Sequence, residues 1–264
     1  TQSRSSAASD VYKRQARGIT KSFGGFCVVN DISLDLTASE ILGVIGPNGA
    51  GKSTLFNLLA GALPIDSGSI RLAGKDLSSA RPEARIQSGL GRTFQIPRPF
   101  PRMTVLENVM TAAQNQRGES MFSALAAPRL VAAQERANAT RARDLLDFVS
   151  LTHLENQPAA VLSGGQRKLL ELARVLMADP RVILLDEPAA GVNPALLDLI
   201  IDRILAINKL GIAVLLIEHN MEMIARLCPR VIVMAAGKAL AEGPPAEVTK
   251  RADVIDVYLE GMPA

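Results

Sequence analysis

Apolar residues run without interruption in three short stretches, "ILGVI" at 41–45, "RVILL" at 181–185 and "AVLLI" at 213–217. Strands without a polar face are buried on both sides, as in a parallel sheet covered by helices. Elsewhere the pattern alternates: "ISLDL" from Ile32 and "SIRLAG" near Ile70 make every second side chain apolar, the period of a half-buried antiparallel strand. Between these runs the spacing lengthens to that of amphipathic helices, and the alternation of strands with helices makes the core α/β.

From about Ile96 to Val161 the strand pattern disappears and Ala, Gln, Arg and Leu dominate. "TVLENVMTAAQ", with Thr104 as N-cap, and "ATRARDLLDFVSL" predict amphipathic helices, and the Gly/Pro-bearing strings "RPFPRM", "AAPRL" and "NQPAA" punctuate the seams. Residues 96–161 thus form a helical insertion into a single α/β domain spanning 16–264, whose core comes from 16–95 and 162–264.

Composition adds limits. A chain of 264 residues that is 48% hydrophobic can bury a sizeable core. Its longest apolar runs fall far short of the roughly 18 residues that span a bilayer, so a membrane role has to come through a partner. Cys27 and Cys228 lack metal-ligand spacing, and both read as buried thiols in a reducing compartment. The formal charge of +3 has no dense basic run behind it. Ser5–Gln15, "SSAASDVYKRQ", resembles the in-frame translation of a transposase adapter used in sequencing libraries, so 1–15 is read as an adapter-derived, disordered leader, with the natural chain starting ahead of Ala16. Without that segment Arg4, Lys13 and Arg14 are lost against Asp10, removing two of the three net charges. A nucleic-acid partner is then not expected.

The candidate chemistry sits where strands end. "GPNGAGKST" (46–54) follows the strand "ILGVI" and opens the helix "STLFNLLAGAL", the context of a phosphate loop. Gly46, Gly49 and Gly51 allow a tight turn whose N–H groups converge on phosphate oxygens, and Pro47, Asn48, Ala50 and Thr54 complete the cradle. Lys52 supplies a cation for the β/γ phosphates and Ser53 a hydroxyl for Mg²⁺. "RVILLDEP" delivers Asp186, suited to Mg²⁺, and Glu187, suited to polarise an attacking water, to the carboxyl edge of the sheet. "LLIEHN" puts His219 at the end of the next buried strand, within reach of a γ-phosphate; His153 reads as structural. Gln95, at the seam into the helical insertion, is placed to sense metal and γ-phosphate. "LSGGQ" starts another helix capped by Ser163, yet carries no lysine to hold phosphate within its own chain.

Together "GPNGAGKST", Gln95, "LSGGQ", "VILLDEP" and His219, in that order, resemble the ATP-binding cassette (ABC) ATPases over nearly the whole chain from about Gly18. The resemblance implies a P-loop NTPase core with an antiparallel β subdomain and an inserted helical subdomain, ATP and Mg²⁺ as ligands, and a head-to-tail dimer. In that dimer Ser163, Gly164, Gly165 and Gln166 close on ATP held by the partner. It further implies that Phe23 of "KSFGG" stacks on adenine, that Gln95 contacts Mg²⁺ together with Ser53 and Asp186, and that Glu187, His219 and Gln95 form the catalytic set. Asn193 stands where many members have Asp; with Pro194 it also reads as the N-cap and N1 of "ALLDLIIDRILAI".

"GRTFQIPRPFPRMTVLENV", "DEPAAGVNP" and "IEHNM" are most similar to the ATPase of branched-chain amino-acid importers, with urea or amide importers and the lipopolysaccharide-export ATPase as alternatives. Such a subunit would sit on the cytoplasmic face of the inner membrane, held by transmembrane permease subunits that a periplasmic substrate-binding protein supplies. Phe100, Met103 and Val105 would lie near the permease contact. DNA-repair ABC ATPases place long heptad repeats between their halves and translation-associated ones carry two cassettes; this chain has neither.

Overall fold

The three unbroken apolar runs become the inner strands of one sheet, and the alternating runs join another. The computed structural model describes residues 14–93, 97–119, 125 and 127–260. The chain packs as two compact units. The first comprises the described residues up to Arg92, with Arg181–Ala189 and those from Ile204 onward; the second comprises those of Thr93–Pro180 and Ala190–Arg203.

In the first unit β1 (Arg14–Phe23) and β2 (Phe26–Leu36) form a hairpin. With β4 (Ser67–Leu72) and β5 (Lys75–Asp76) they make an antiparallel sheet of order β2-β1-β4-β5. The two segments with strict alternation, in β2 and β4, therefore do not pair with each other; both flank β1. β1 takes in Arg14 and Gln15, which pair with Leu36 and Asp35 on one side and Leu72 and Arg71 on the other. Backbone pairing asks little of side-chain identity, and the first core side chain is Ala16.

The other sheet runs β10-β9-β3-β8-β7-β6, from β3 (Ile41–Ile45), β6 (Leu90–Arg92), β7 (Val182–Asp186), β8 (Ala213–Ile217), β9 (Arg230–Ala235) and β10 (Lys238–Gly243). All pairs are parallel except β10 with β9. Every residue of β3, β7 and β8 is buried, as unbroken apolar runs require. Val44 of β3 and Asp186 of β7 both pair with Ile217 of β8, so the three strands end in one row and whatever follows them emerges at one edge.

α1 (Lys52–Ala60) packs against β2 and β7 and shares a core with both sheets through Leu55, Phe56, Leu58 and Leu59. Each such side chain contributes about 1.5–3 kcal/mol on burial. The carboxyl end of α1 is held by α2 (Pro82–Gln87), whose Arg85 is 1% exposed. Its guanidinium donates to the carbonyls of Leu58 (2.7 Å), Leu59 (2.8 Å), Ala80 (3.0 Å) and Ser78 (3.2 Å). A cation suits a helix carboxyl terminus, and burial alone pulls the Arg85 pKa down. Arg85→Met should fill the space while stripping these carbonyls of their donor. The expected loss is about 3 kcal/mol, read as a lower urea midpoint with unchanged slope.

The second unit is helical, and its described residues between 97 and 161 contain no strand. α3 (Val105–Met110), α4 (Pro128–Phe148) and α5 (Gly164–Met177) pack on one another. Thr104 caps α3 through a reciprocal pair: its hydroxyl accepts the Glu107 N–H (3.1 Å) and the Glu107 carboxylate accepts the Thr104 N–H (2.7 Å). Buried Asn108 bonds both backbone groups of Phe100 and so fixes the proline-rich seam. α6 (Pro194–Lys209) begins in this unit, with Asn193 Oδ1 accepting the Leu196 N–H at 2.9 Å. Asn193 and Pro194 are thus its cap and first residue. α7 (Met221–Leu227), α8 (Pro245–Val248) and α9 (Ala252–Glu260) belong to the first unit. No described helix is long and apolar enough to cross a membrane.

Candidate nucleotide site

The loop between β3 and α1 can be built only from glycine at two points. Gly46 has φ 146°, and a Cβ there would lie 2.1 Å from the Met234 carbonyl oxygen. Gly51, the N-cap of α1, has φ 94°, and its Cβ would meet the Val28 carbonyl oxygen at 2.5 Å. The loop is thereby pressed onto the backbones of β9 and β2. Residues Asn48 to Thr54, with Val28, Glu187 and His219, line a pocket of about 210 Å³.

Lys52 is buried beneath the loop and its ammonium donates to the carbonyl oxygens of Gly46 and Pro47, both at 2.8 Å. Burial holds its pKa below the usual lysine value, while the Glu187 and Asp186 carboxylates pull the other way. The cation is thus kept in the pocket by polar groups that a phosphate can replace.

Glu187 and His219 enter the pocket from the ends of β7 and β8. Glu187 has φ 49°, in the left-handed region, with its N–H bonded to the Ile217 carbonyl at 3.0 Å. That turn brings its carboxylate Oε1 3.1 Å from His219 Nε2. Asp186 is buried at the last position of β7, and the Arg92 guanidinium lies 3.6 Å from its Oδ2 while donating to Asn57 Oδ1 on α1 at 2.8 Å. Among the described residues no cluster of three or more His, Cys, Asp or Glu could hold a metal alone. The donors that are present, the exposed Ser53 hydroxyl and the Asp186 carboxylate, are hard oxygens of the kind Mg²⁺ prefers. Their small number fits an ion that is shared with substrate phosphates.

The structure places the remaining candidates as follows. Asn48 to Thr54 line the pocket, whereas Gly46 and Pro47 do not and meet it only through their carbonyls on the Lys52 ammonium; Gln95 lies outside the described residues. Phe23 is 46% exposed at the end of β1, with the Lys21 ammonium 5.5 Å from its ring centre, and is absent from the pocket lining, where Val28 is the apolar wall. Ser163, Gly164, Gly165 and Gln166 belong to the second unit and open α5. The Ser163 hydroxyl accepts the Gln166 N–H (3.3 Å), and Gln166 Oε1 accepts the Ser163 N–H (2.9 Å). A Cβ on Gly165 would meet Leu196 Cδ2 at 1.8 Å, whereas one on Gly164 would meet nothing within 4 Å. Gly165 is therefore explained by packing inside the chain, and Gly164 is not. His153 is exposed; Cys228 is buried, its thiol pushed up to about 12 mainly by desolvation, but Cys27 is only half-buried.

Two residues near this pocket are missed by sequence reasoning. Arg92 precedes Gln95 by three positions, and Glu218 sits beside His219 inside the string "LLIEHN". Both lie inside strings that carry the family resemblance, without a role assigned there, and the signal that marks both is a charge at an otherwise apolar strand end, where burial demands partners.

Comparison with known proteins agrees with this geometry. Residues 29–190 match the family model described as ABC transporter. The probable branched-chain amino acid transport ATP-binding protein LivG of Archaeoglobus fulgidus is 36% identical over 93% of this chain and 94% of its own. The high-affinity branched-chain amino acid transport ATP-binding protein LivG of Escherichia coli K12 is 37% identical over 92% and 95%. A solved nucleotide-free ATP-binding cassette from an ABC transporter superposes with a TM-score of 0.82 at 34% identity, covering 94% of this chain and 99% of that one. A cassette in its ADP conformation gives 0.81 at 34%, with the same coverage. With its phosphate loop, buried lysine and paired acidic residues on one sheet edge, the chain belongs to the ABC transporter family, as an ATP-hydrolysing cassette.

Proposed function

We propose that this cassette powers a membrane importer for branched-chain or closely related amino acids, working as a pair of cassettes on the cytoplasmic face of the inner membrane. The observation that carries the reading is the meeting of Lys52, Glu187 and His219 in one pocket, with Glu187 Oε1 held 3.1 Å from His219 Nε2. On this reading Lys52 exchanges the Gly46 and Pro47 carbonyls for phosphate oxygens of ATP. The Glu187 carboxylate takes the proton of the attacking water, and His219 holds that carboxylate while its ring faces the γ-phosphate. Ser53 and Asp186, with Gln95, would hold Mg²⁺, which when bound neutralises developing phosphate charge. Phe23, half exposed at the end of β1, would stack on adenine.

The second cassette supplies its own Ser163, Gly164, Gly165 and Gln166 to the ATP held here. ATP can favour the closed pair only by binding it more tightly than the open one, and this contact is what makes the difference. The amino-acid substrate follows the names of the relatives, which are branched-chain amino acid transport ATP-binding proteins; the permease subunits and the periplasmic substrate-binding protein are part of the proposal. The test is reconstitution with the cognate permeases in vesicles that hold the binding protein on the outer side. ATP-dependent uptake of leucine, isoleucine or valine supports the reading. Uptake of urea or an amide in their place ends the substrate assignment while leaving the motor intact.

A further inference from the structure

Glu218 is 3% exposed, and its carboxylate accepts three backbone N–H groups. Oε2 accepts those of His219 (2.8 Å) and Asn220 (2.9 Å), and Oε1 accepts that of Ala189 (2.6 Å). The first two are local and resemble the turn a short acidic side chain makes with its own backbone. The third is not: Ala189 lies 29 positions away, two residues beyond Glu187. A buried carboxylate satisfied wholly by backbone is costly to place, and here it joins the two segments that carry Glu187 and His219.

We propose that Glu218 is a positioning residue that locks the segment after Glu187 to the segment of His219, so that the two side chains keep the separation needed for water activation. It touches no substrate and acts through the backbone. Glu187 leaves β7 at a left-handed φ and His219 lies two residues past the end of β8, so their 3.1 Å approach depends on two separate segments. β7 and β8 fix those segments at their starts, through the pairing of Asp186 with Ile217 and the bond from the Glu187 N–H to the Ile217 carbonyl. The Glu218 carboxylate fixes them further on, at Ala189 on one side and at His219 and Asn220 on the other. Asn220 extends the same device by capping α7 through the Met223 N–H at 2.9 Å, so the His219 segment is held at both ends.

This inference rests on Glu187 as general base, and the experiment separates the two. Glu218→Asp is one methylene shorter, so it can keep the local bonds to His219 and Asn220 but not reach Ala189. In the full chain, kcat for ATP should fall about 10- to 100-fold, the size expected when catalytic groups slip by roughly an ångström. The dissociation constant for a fluorescent ATP analogue should stay within about twofold, because Lys52 and the loop are untouched. Glu218→Gln keeps the native length but turns one accepting oxygen into an NH2 donor facing backbone N–H groups, so it too should lose turnover.

Hydrogen exchange read by mass spectrometry on the 187–193 peptide tests the tie without turnover. It should quicken in the Asp variant while the α1 peptide stays unchanged. Wild-type kcat in the Asp variant, or unchanged exchange at 187–193, would each overturn the proposal. A parent protein whose Mg²⁺-dependent hydrolysis survives Glu187→Gln would instead overturn the general-base reading, and the exchange result would still decide whether Glu218 ties the two segments.

Discussion

Glu187→Gln should lower kcat by about 10²- to 10³-fold while ATP affinity stays near that of the parent. Gln keeps the length and one oxygen of Glu, so the contact with His219 Nε2 can persist, but an amide cannot accept the proton of water. Because ATP then binds without being consumed, the variant should accumulate as a pair of cassettes in saturating ATP and Mg²⁺. Chromatography with light scattering reads the mass, and phosphate release reads the rate. Turnover equal to the parent's would remove Glu187 from its role. A variant that loses turnover but stays a monomer would leave the base in place and count against pairing in the absence of permease.

Gly164→Asp should leave the isolated chain as stable as the parent, or slightly more so, and abolish most of its activity. A Cβ at this position meets nothing within 4 Å, so the branch point of the new side chain fits without a clash. The position is also the first residue of α5, where a negative charge is favoured by about 0.3–1 kcal/mol. In the paired state the same carboxylate would face the γ-phosphate of the partner's ATP, and like charges repel strongly where water is excluded. Turnover should drop by about 10²-fold or more, with nucleotide binding by the monomer unchanged. Gly165→Ala offers the contrast: its methyl group presses on Leu196, so it should cost melting temperature in the isolated chain. If Gly164→Asp weakened ATP binding by the monomer, the motif would act on its own chain's nucleotide.

Much of the site is legible in the order of residues along the chain, for a definite reason. A phosphate loop is written in consecutive residues because backbone N–H groups of one turn must converge, so "GPNGAGKST" and the buried run preceding it announce site and strand together. The capping pair at Thr104 and Glu107, and that at Ser163 and Gln166, are likewise contained within four residues. Helix length is less legible: "TVLENVMTAAQ" has helical spacing throughout, yet α3 stops at Met110, and Asn115 beyond it takes a left-handed φ of 54°. Arg85, Arg92 and Glu218 are invisible to pattern because their partners lie 26 to 35 positions away for the bonds that matter, to α1 and to Ala189. Periodicity shows that such a charge is misplaced, but only the packed chain shows what receives it.

The backbone angle of Glu187 carries one more consequence. An L residue other than glycine held near φ 49° costs of order 1 kcal/mol or more, and the cost falls on the folded state alone. Glycine at this position would relieve that strain, so selection for thermal endurance alone would press toward a sturdier and chemically inert protein. With Glu187 as the proposed base, durability and turnover would be opposed at this one peptide unit, and a stabilising design for this cassette should leave residue 187 untouched.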